Sequence, residues 1–406
     1  MVASIASALS LAACAAPPLP SWQVTPLADG RTASKYPYQI VYDFGSQRSK
    51  DAQTPEAGFT VVGGSTLYGA FSTGRQNGVI VAISPSTGRL RIVYEMPSER
   101  GSPASGLLYW RGKLYGVTAV GSICPCYESE VFRFDPTDRT MTTLYSYPYN
   151  RRSKSEPKPS GGLTAVGETL YGLTILDRGR GTGELYRIAL PSGAKTTIHS
   201  FTGCPDGAAP NGDLLSMGTG SATYLYGVTS AGGSCHTKGG VIFRVQPDGS
   251  HYRILHVFTA GKDGEHPLAG LTALDGTLYG TTFAGGARNG GTIYSLSPNG
   301  RYRVLYAFSG TKNNPGGPSA SLAAVGSVLY GTTVGEAILD GNVNRGTLFA
   351  NRPSDGKELD LHLFGYGLDG YYPLAPVVYW HGLLLGTTKD GGQNDLGTVF
   401  SYQLKR

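Results

Sequence analysis

Charge is scarce in this chain: Asp, Glu, Lys and Arg make up 15% of its 406 residues, and 34 Lys and Arg exceed 28 Asp and Glu by only six. That small excess excludes the basic face a nucleic-acid partner requires, and no nucleic-acid motif is present. The sequence also lacks a CxxC pair, a P-loop, a nucleophile elbow and a metalloprotease signature. The chemistry those motifs announce is therefore not expected, and neither is a metal or cofactor. What the chain has instead is 60 Gly, 26 Tyr and 25 Pro. Such a composition suits many short strands joined by tight turns rather than helices. With 40% hydrophobic residues, a sizeable core can be buried and wholesale disorder is excluded.

The opening "MVASIASALSLAAC" is apolar but too short to span a bilayer as a helix. Its end, Leu11-Ala12-Ala13-Cys14, resembles a bacterial lipobox, in which the cysteine thiol takes a diacylglycerol; no Lys or Arg precedes the apolar stretch. The expectation is a lipoprotein signal over 1–13, lipidation at Cys14 and a Pro-rich spacer over 14–38. The protein would then be exported and held at the outer membrane or cell surface by its lipid. A plain cleaved signal is the alternative.

A Leu-Tyr-Gly tripeptide begins at Leu67, Leu114, Leu170, Leu225, Leu278 and Leu329, and a degenerate Leu-Leu-Gly begins at Leu384. Successive spacings are 47, 56, 55, 53, 51 and 55 residues. A period near 50 with four strand-like segments per unit predicts an all-β, seven-bladed propeller over 39–406. In unit five, "GLTAL" reads as the inner strand, "TLYGTT" as the second, "TIYSLS" as the third and "RVLYAF" as the outer one. The turns "DG" and "PNG" between them suit hairpins. Unit seven has no outer strand of its own. "QIVYDF", residues 39–44, has the outer-strand pattern and is expected to pair into blade seven, which would otherwise present an open edge. The tripeptide glycine is expected to let neighbouring blades pack closely.

The order Leu-Tyr-Gly-x-Thr, Gly-Gly, Gly-x-Val/Ile-Phe-x-Leu-x-Pro-x-Gly resembles the GloVer (Gloeo/Verruco) tandem repeat of bacterial surface proteins. Units four, "LYGVTSAGGSCHTKGGVIFRVQPDG", and five, "LYGTTFAGGARNGGTIYSLSPNG", carry the resemblance best. It implies a repeat and a surface location but no reaction.

Hairpin alternation puts the long loops and the links between blades on one face, where function in such folds gathers. Cys204 precedes blade four and Cys235 lies in its long loop, so an exported chain is expected to join them. Cys124 and Cys126 would form a strained bridge or stay reduced. His199, His256 and His362 occupy an outer-strand position that is tyrosine elsewhere and so read as structural, leaving His236 and His266 as loop candidates. The turn "DGxxP" at Asp206, Asp263 and Asp369 reads as a capped turn into the next inner strand. Arg151, Arg152, Lys154, Lys158, Arg178 and Arg180 cluster in the loops of blade three and would suit an anionic polymer. Tyr371 and Tyr372 would stack on a sugar ring.

Two functions follow. The first is a lipid-anchored, non-catalytic propeller binding a surface protein or an anionic glycan through the long-loop face. The second is a propeller-type lyase acting on an acidic polysaccharide or cyclic ester. The inner strands carry a single charge, Asp213, which disfavours the second. A closed ring without an outer apolar stripe points to a monomer.

Overall fold

The computed structural model describes residues 37–45, 55, 57–72, 78–97, 100–119, 128–147, 157–176, 183–236, 239–297, 299–311, 314–335, 345–365 and 367–405. The signal, Cys14, nearly all of the spacer, Cys124 and Cys126 lie outside them. Seven antiparallel sheets form the ring. Blade five shows the pattern: Thr272–Leu274, Thr277–Thr282, Thr292–Leu296 and Tyr302–Ala307 pair in chain order. Blade seven takes its inner three strands, Val378–Trp380, Leu383–Thr388 and Thr398–Gln403, from the end of the chain and its outermost, Tyr38–Asp43, from the beginning. Tyr38 lies opposite Tyr402 and Asp43 opposite Thr398. The sequence expectation of a clasp therefore holds, with the strand starting one residue earlier.

The inner strands are short, and two of them are broken. In blades two and three two short pieces pair with the second strand, Ser102–Pro103 with Leu108–Trp110 and Pro157–Pro159 with Thr164–Val166. In blade four the strand Ala208–Met217 is unbroken but shifts register between Asn211 and Leu215. Hydroxyls stitch one inner strand to the next blade: Thr164 donates to the Leu214 carbonyl at 2.5 Å and Thr272 to that of Leu322 at 2.6 Å.

The tripeptide glycine serves its own blade, not the contact between blades. In blades two to seven the residue opposite it on the third strand is Phe132, Tyr186, Phe243, Tyr294, Phe349 or Phe400, and that ring lies across the glycine; in blade one Gly69 lies opposite Val81 and is covered by Phe71 of its own strand. A Cβ on Gly227 would fall 2.6 Å from the Phe243 ring and 2.9 Å from Leu214 of the same blade. These rings are fully buried and form the repeating core. The expectation of close blade–blade approach applies to another glycine, that of the hairpin between the third and outer strands. Each outer strand has a β-bulge that turns one carbonyl outward. In blades one, three, four and six the hairpin glycine sits against the carbonyl of the blade before: a Cβ on Gly88 would fall 2.8 Å from the Val41 oxygen, and one on Gly249 2.8 Å from that of Ile198, whereas one on Gly300 of blade five would meet nothing within 4 Å.

Candidate functional site at the axial mouth

The loops linking blades and the long loops meet on one face because both leave the same end of the strands. They are knitted by backbone. Glu265 bridges Ala284 in blade five and Tyr371 bridges Asp390 in blade seven. The Gly-Gly pair makes this approach possible, since a Cβ on Gly285 would collide with Gly264 of the "DG" turn and one on Gly391 with Gly370. In blade four the same two loops are also joined covalently, by a disulfide between Cys204 and Cys235 with Cα atoms 5.4 Å apart.

The aspartates of "DGxxP" are structural, and each holds a histidine. Asp263 accepts from the Thr259 backbone (3.0 Å), from the Thr259 hydroxyl (2.5 Å) and from His256 Nε2 at 3.2 Å. His256 in turn stacks on Tyr302 of the next blade, 3.7 Å between centroids, and the Tyr302 hydroxyl donates to the Asp263 carbonyl at 2.5 Å. His199, Asp206 and Tyr252 repeat this seam between blades three and four, and His362, Asp369 and Tyr38 between six and seven. Burial pushes the His199 and His256 imidazoles below their usual value, against the pull of their aspartates. Burial pushes Asp206 up, but the bonds from Thr202 outweigh it and leave the carboxyl below its usual value. These histidines lie on the outer strands and their aspartates in the turns that follow, far along the sheet from the innermost strands.

At the mouth, the residue before the proline that opens each inner strand is the same position in every unit: Ser102, Lys158, Ala209, His266, Gly317 and Tyr372 among the described residues. Three residues picked out from sequence, Lys158, His266 and Tyr372, thus come to one level of the ring, in blades three, five and seven. His266 is exposed, with φ of 55°, and its Nδ1 donates to the Ser230 carbonyl at 2.8 Å. Tyr372 is half-buried with φ of 56° and meets Tyr371 edge-on at 5.2 Å. Tyr371 is held more firmly than expected. The Arg345 guanidinium lies over its ring at 3.9 Å, and its hydroxyl donates to Asp395 at 2.6 Å. That bond, with the Gly391 backbone N–H, holds the Asp395 carboxyl below its usual range. Sequence reasoning missed Arg345 and Asp395. The alignment of long loops signals the second: Asp395 caps Gly391 as Asn289 caps Gly285, both at 2.9 Å.

Arg151, Arg152, Lys154, Arg178 and Arg180 lie outside the described residues; Lys158 alone of that cluster is placed. His236, the other loop histidine, is exposed beside the disulfide. Asp213 has accessible surface yet is hemmed between the inner strands of blades three and five, accepting from the Gly162 N–H at 2.5 Å. Burial raises its carboxyl against that bond. Among the described residues no cluster of His, Cys, Asp and Glu is arranged to hold a metal ion. No described helix is long and apolar enough to cross a membrane.

The family model for the Gloeobacter/Verrucomicrobia repeat matches residues 125–339 and 220–406. No curated protein matches the chain. Among solved structures it is similar to an oligogalacturonate lyase in complex with manganese, at a TM-score of 0.54 and 13% identity, covering 91% of each chain. It is also similar to oligogalacturonate lyase from Vibrio parahaemolyticus, at 0.54 and 12%, covering 91% of this chain and 97% of that one. At such identities the likeness is one of fold.

Proposed function

This chain belongs to the Gloeobacter/Verrucomicrobia repeat family, and from that premise we propose that it is a non-catalytic propeller, lipid-anchored through Cys14 at the cell surface, that binds a protein or glycan partner with its long-loop face. One observation carries the reading. The repeat keeps its core and seams but places a cation, an imidazole and a phenol at one repeated mouth position, as Lys158, His266 and Tyr372. Such a set suits an acidic glycan: tyrosine covers a sugar face, lysine meets a carboxylate and histidine bonds a hydroxyl. The histidines that do have carboxylate partners are committed to outer seams, each stacked under a tyrosine. A general base has to reach its substrate, and those pairs are covered.

An array of acidic oligosaccharides, oligogalacturonate among them, tests the reading, with the same samples assayed for unsaturated product. Retention without product is expected. Product formation abolished by His266→Ala would replace binding with the lyase reading. Separately, metabolic labelling with a fatty acid should mark the protein and fail on Cys14→Ser; a label that persists removes the anchor.

A further inference from the structure

In blade one a position that arginine fills in blades two, three and four is held by a small residue, as it is by Ser295, Ala350 and Ser401 in blades five, six and seven. The residue paired with the tripeptide tyrosine is Arg133 in blade two, Arg187 in three and Arg244 in four, but Ala82 in blade one. In blade four the Arg244 guanidinium lies over Tyr224 at 4.5 Å. In blade two the neighbouring space holds the Lys113–Asp135 ion pair. Blade one has Thr66 and Ser84 at the positions of Lys113 and Asp135. In blade one the seat that arginine takes in blades two to four is left as a hollow of about 250 Å³, lined by Thr66, Ala82, Ser84, Thr87, Arg89 and Arg91, with Ile83 in its floor.

The lining has a definite chemistry. Arg89 lies opposite Ser84, and Arg91 opposite Ala82, so two guanidinium forks stand two residues apart on one face of the outermost strand. Among the described residues neither has an acidic partner within ion-pair distance, whereas Lys113, Lys195 and Arg352 do. Ala82 and Ile83 are buried and give an apolar base. We propose that this hollow binds a small molecule bearing an oxyanion, a phosphate or the carboxylate of a single sugar. Arginine forks match such oxygens two at a time, the hydroxyls of Thr66 and Ser84 bond the rest, and the volume holds about eight waters, which suits one sugar acid. The site lies at the hairpin end of the strands, opposite the mouth, and does not rest on the binding assigned there.

Calorimetric titration of the full chain in detergent, with inorganic phosphate, glucuronate and glucose as probes, tests this. Saturable binding of phosphate or glucuronate is expected, weakened by salt, with none for glucose; which anion binds tells the two sources apart. Arg89→Ser with Arg91→Ser should raise Kd about tenfold or more. Ala82→Arg, which refills the seat as Arg244 does, should do the same, with the melting temperature reporting an intact fold. No saturable heat up to about 10 mM of either anion, equal heat from glucose, or binding that survives the double serine variant would overturn the proposal. So would binding lost only when Lys158, His266 and Tyr372 are replaced.

Discussion

The seam between blades four and five and the seam between five and six use the same three positions with opposite chemistry. The first has His256, Asp263 and Tyr302. The second has Tyr306, Asn314 and Glu358, with Asn314 Nδ2 donating to the Tyr306 hydroxyl at 2.7 Å and to Glu358 at 3.4 Å. Burial, then the nearby Asp360 charge, pushes Glu358 up to about 7, and burial and Glu358 push Tyr306 up to about 12. One seam therefore favours a neutral base and the other a neutral acid. In the first, the unfolded chain takes up protons before the folded one, so stability falls as pH drops through about 6.5. In the second, the folded chain keeps its proton longer, so stability falls as pH rises from about 4.5 to about 7. The difference teaches that the repeat fixes where a contact is made but not which ionisation it prefers.

The largest break comes from Tyr302→Ala, which removes a ring packed against His256, Phe258 and Tyr294 and the bond to Asp263. A loss of about 3 kcal/mol in urea unfolding is expected. Cys204→Ser with Cys235→Ser should cost about 3 kcal/mol by freeing a 31-residue separation. Under reducing conditions, the wild type should match that variant. His256→Phe keeps the stack on Tyr302 but loses the bond to Asp263. It should cost about 1 kcal/mol at pH 8 and make the acid side of the stability profile shallower, the His199 seam keeping the rest. Glu358→Gln is the gentlest. Because the group is part-exposed and screened, it should gain no more than about 1 kcal/mol at pH 8 and nothing at pH 4. A Glu358→Gln profile parallel to wild type between pH 4 and 8 would remove the contrast between the seams.

Much of this was legible in sequence, because a repeat is its own alignment. The spacing of Leu-Tyr-Gly gave the blades, and the orphan "QIVYDF" gave the closure, since an outer strand was missing at one end and spare at the other. The seams were half legible. Each of His199, His256 and His362 stands seven residues before the aspartate that binds it, but the tyrosine that completes the seam comes from the next unit, or for His362 from Tyr38 at the other end of the chain. The role of the tripeptide glycine was misread because the aromatic ring that covers it lies on another strand. Arg345 was illegible for a similar reason: its partner, Tyr371, follows an outer strand and an inter-blade loop. The expectation of no outer apolar surface also needs amending, since Leu359, Leu363 and Leu368 of blade six and the loop after it are exposed.

Seams and mouth differ: the rim repeats to hold the ring, while the mouth varies, and we assign the proposed binding to that variation. The most direct measurement is the affinity of a triple variant, Lys158→Ser, His266→Ser and Tyr372→Ser, for the acidic oligosaccharide that the wild type retains, alongside Glu358→Gln. A weakening of about tenfold or more in the triple variant, at unchanged melting temperature and with Glu358→Gln binding as wild type, is the expected result. Equal affinity in the triple variant, or an equal loss in Glu358→Gln, would contradict it.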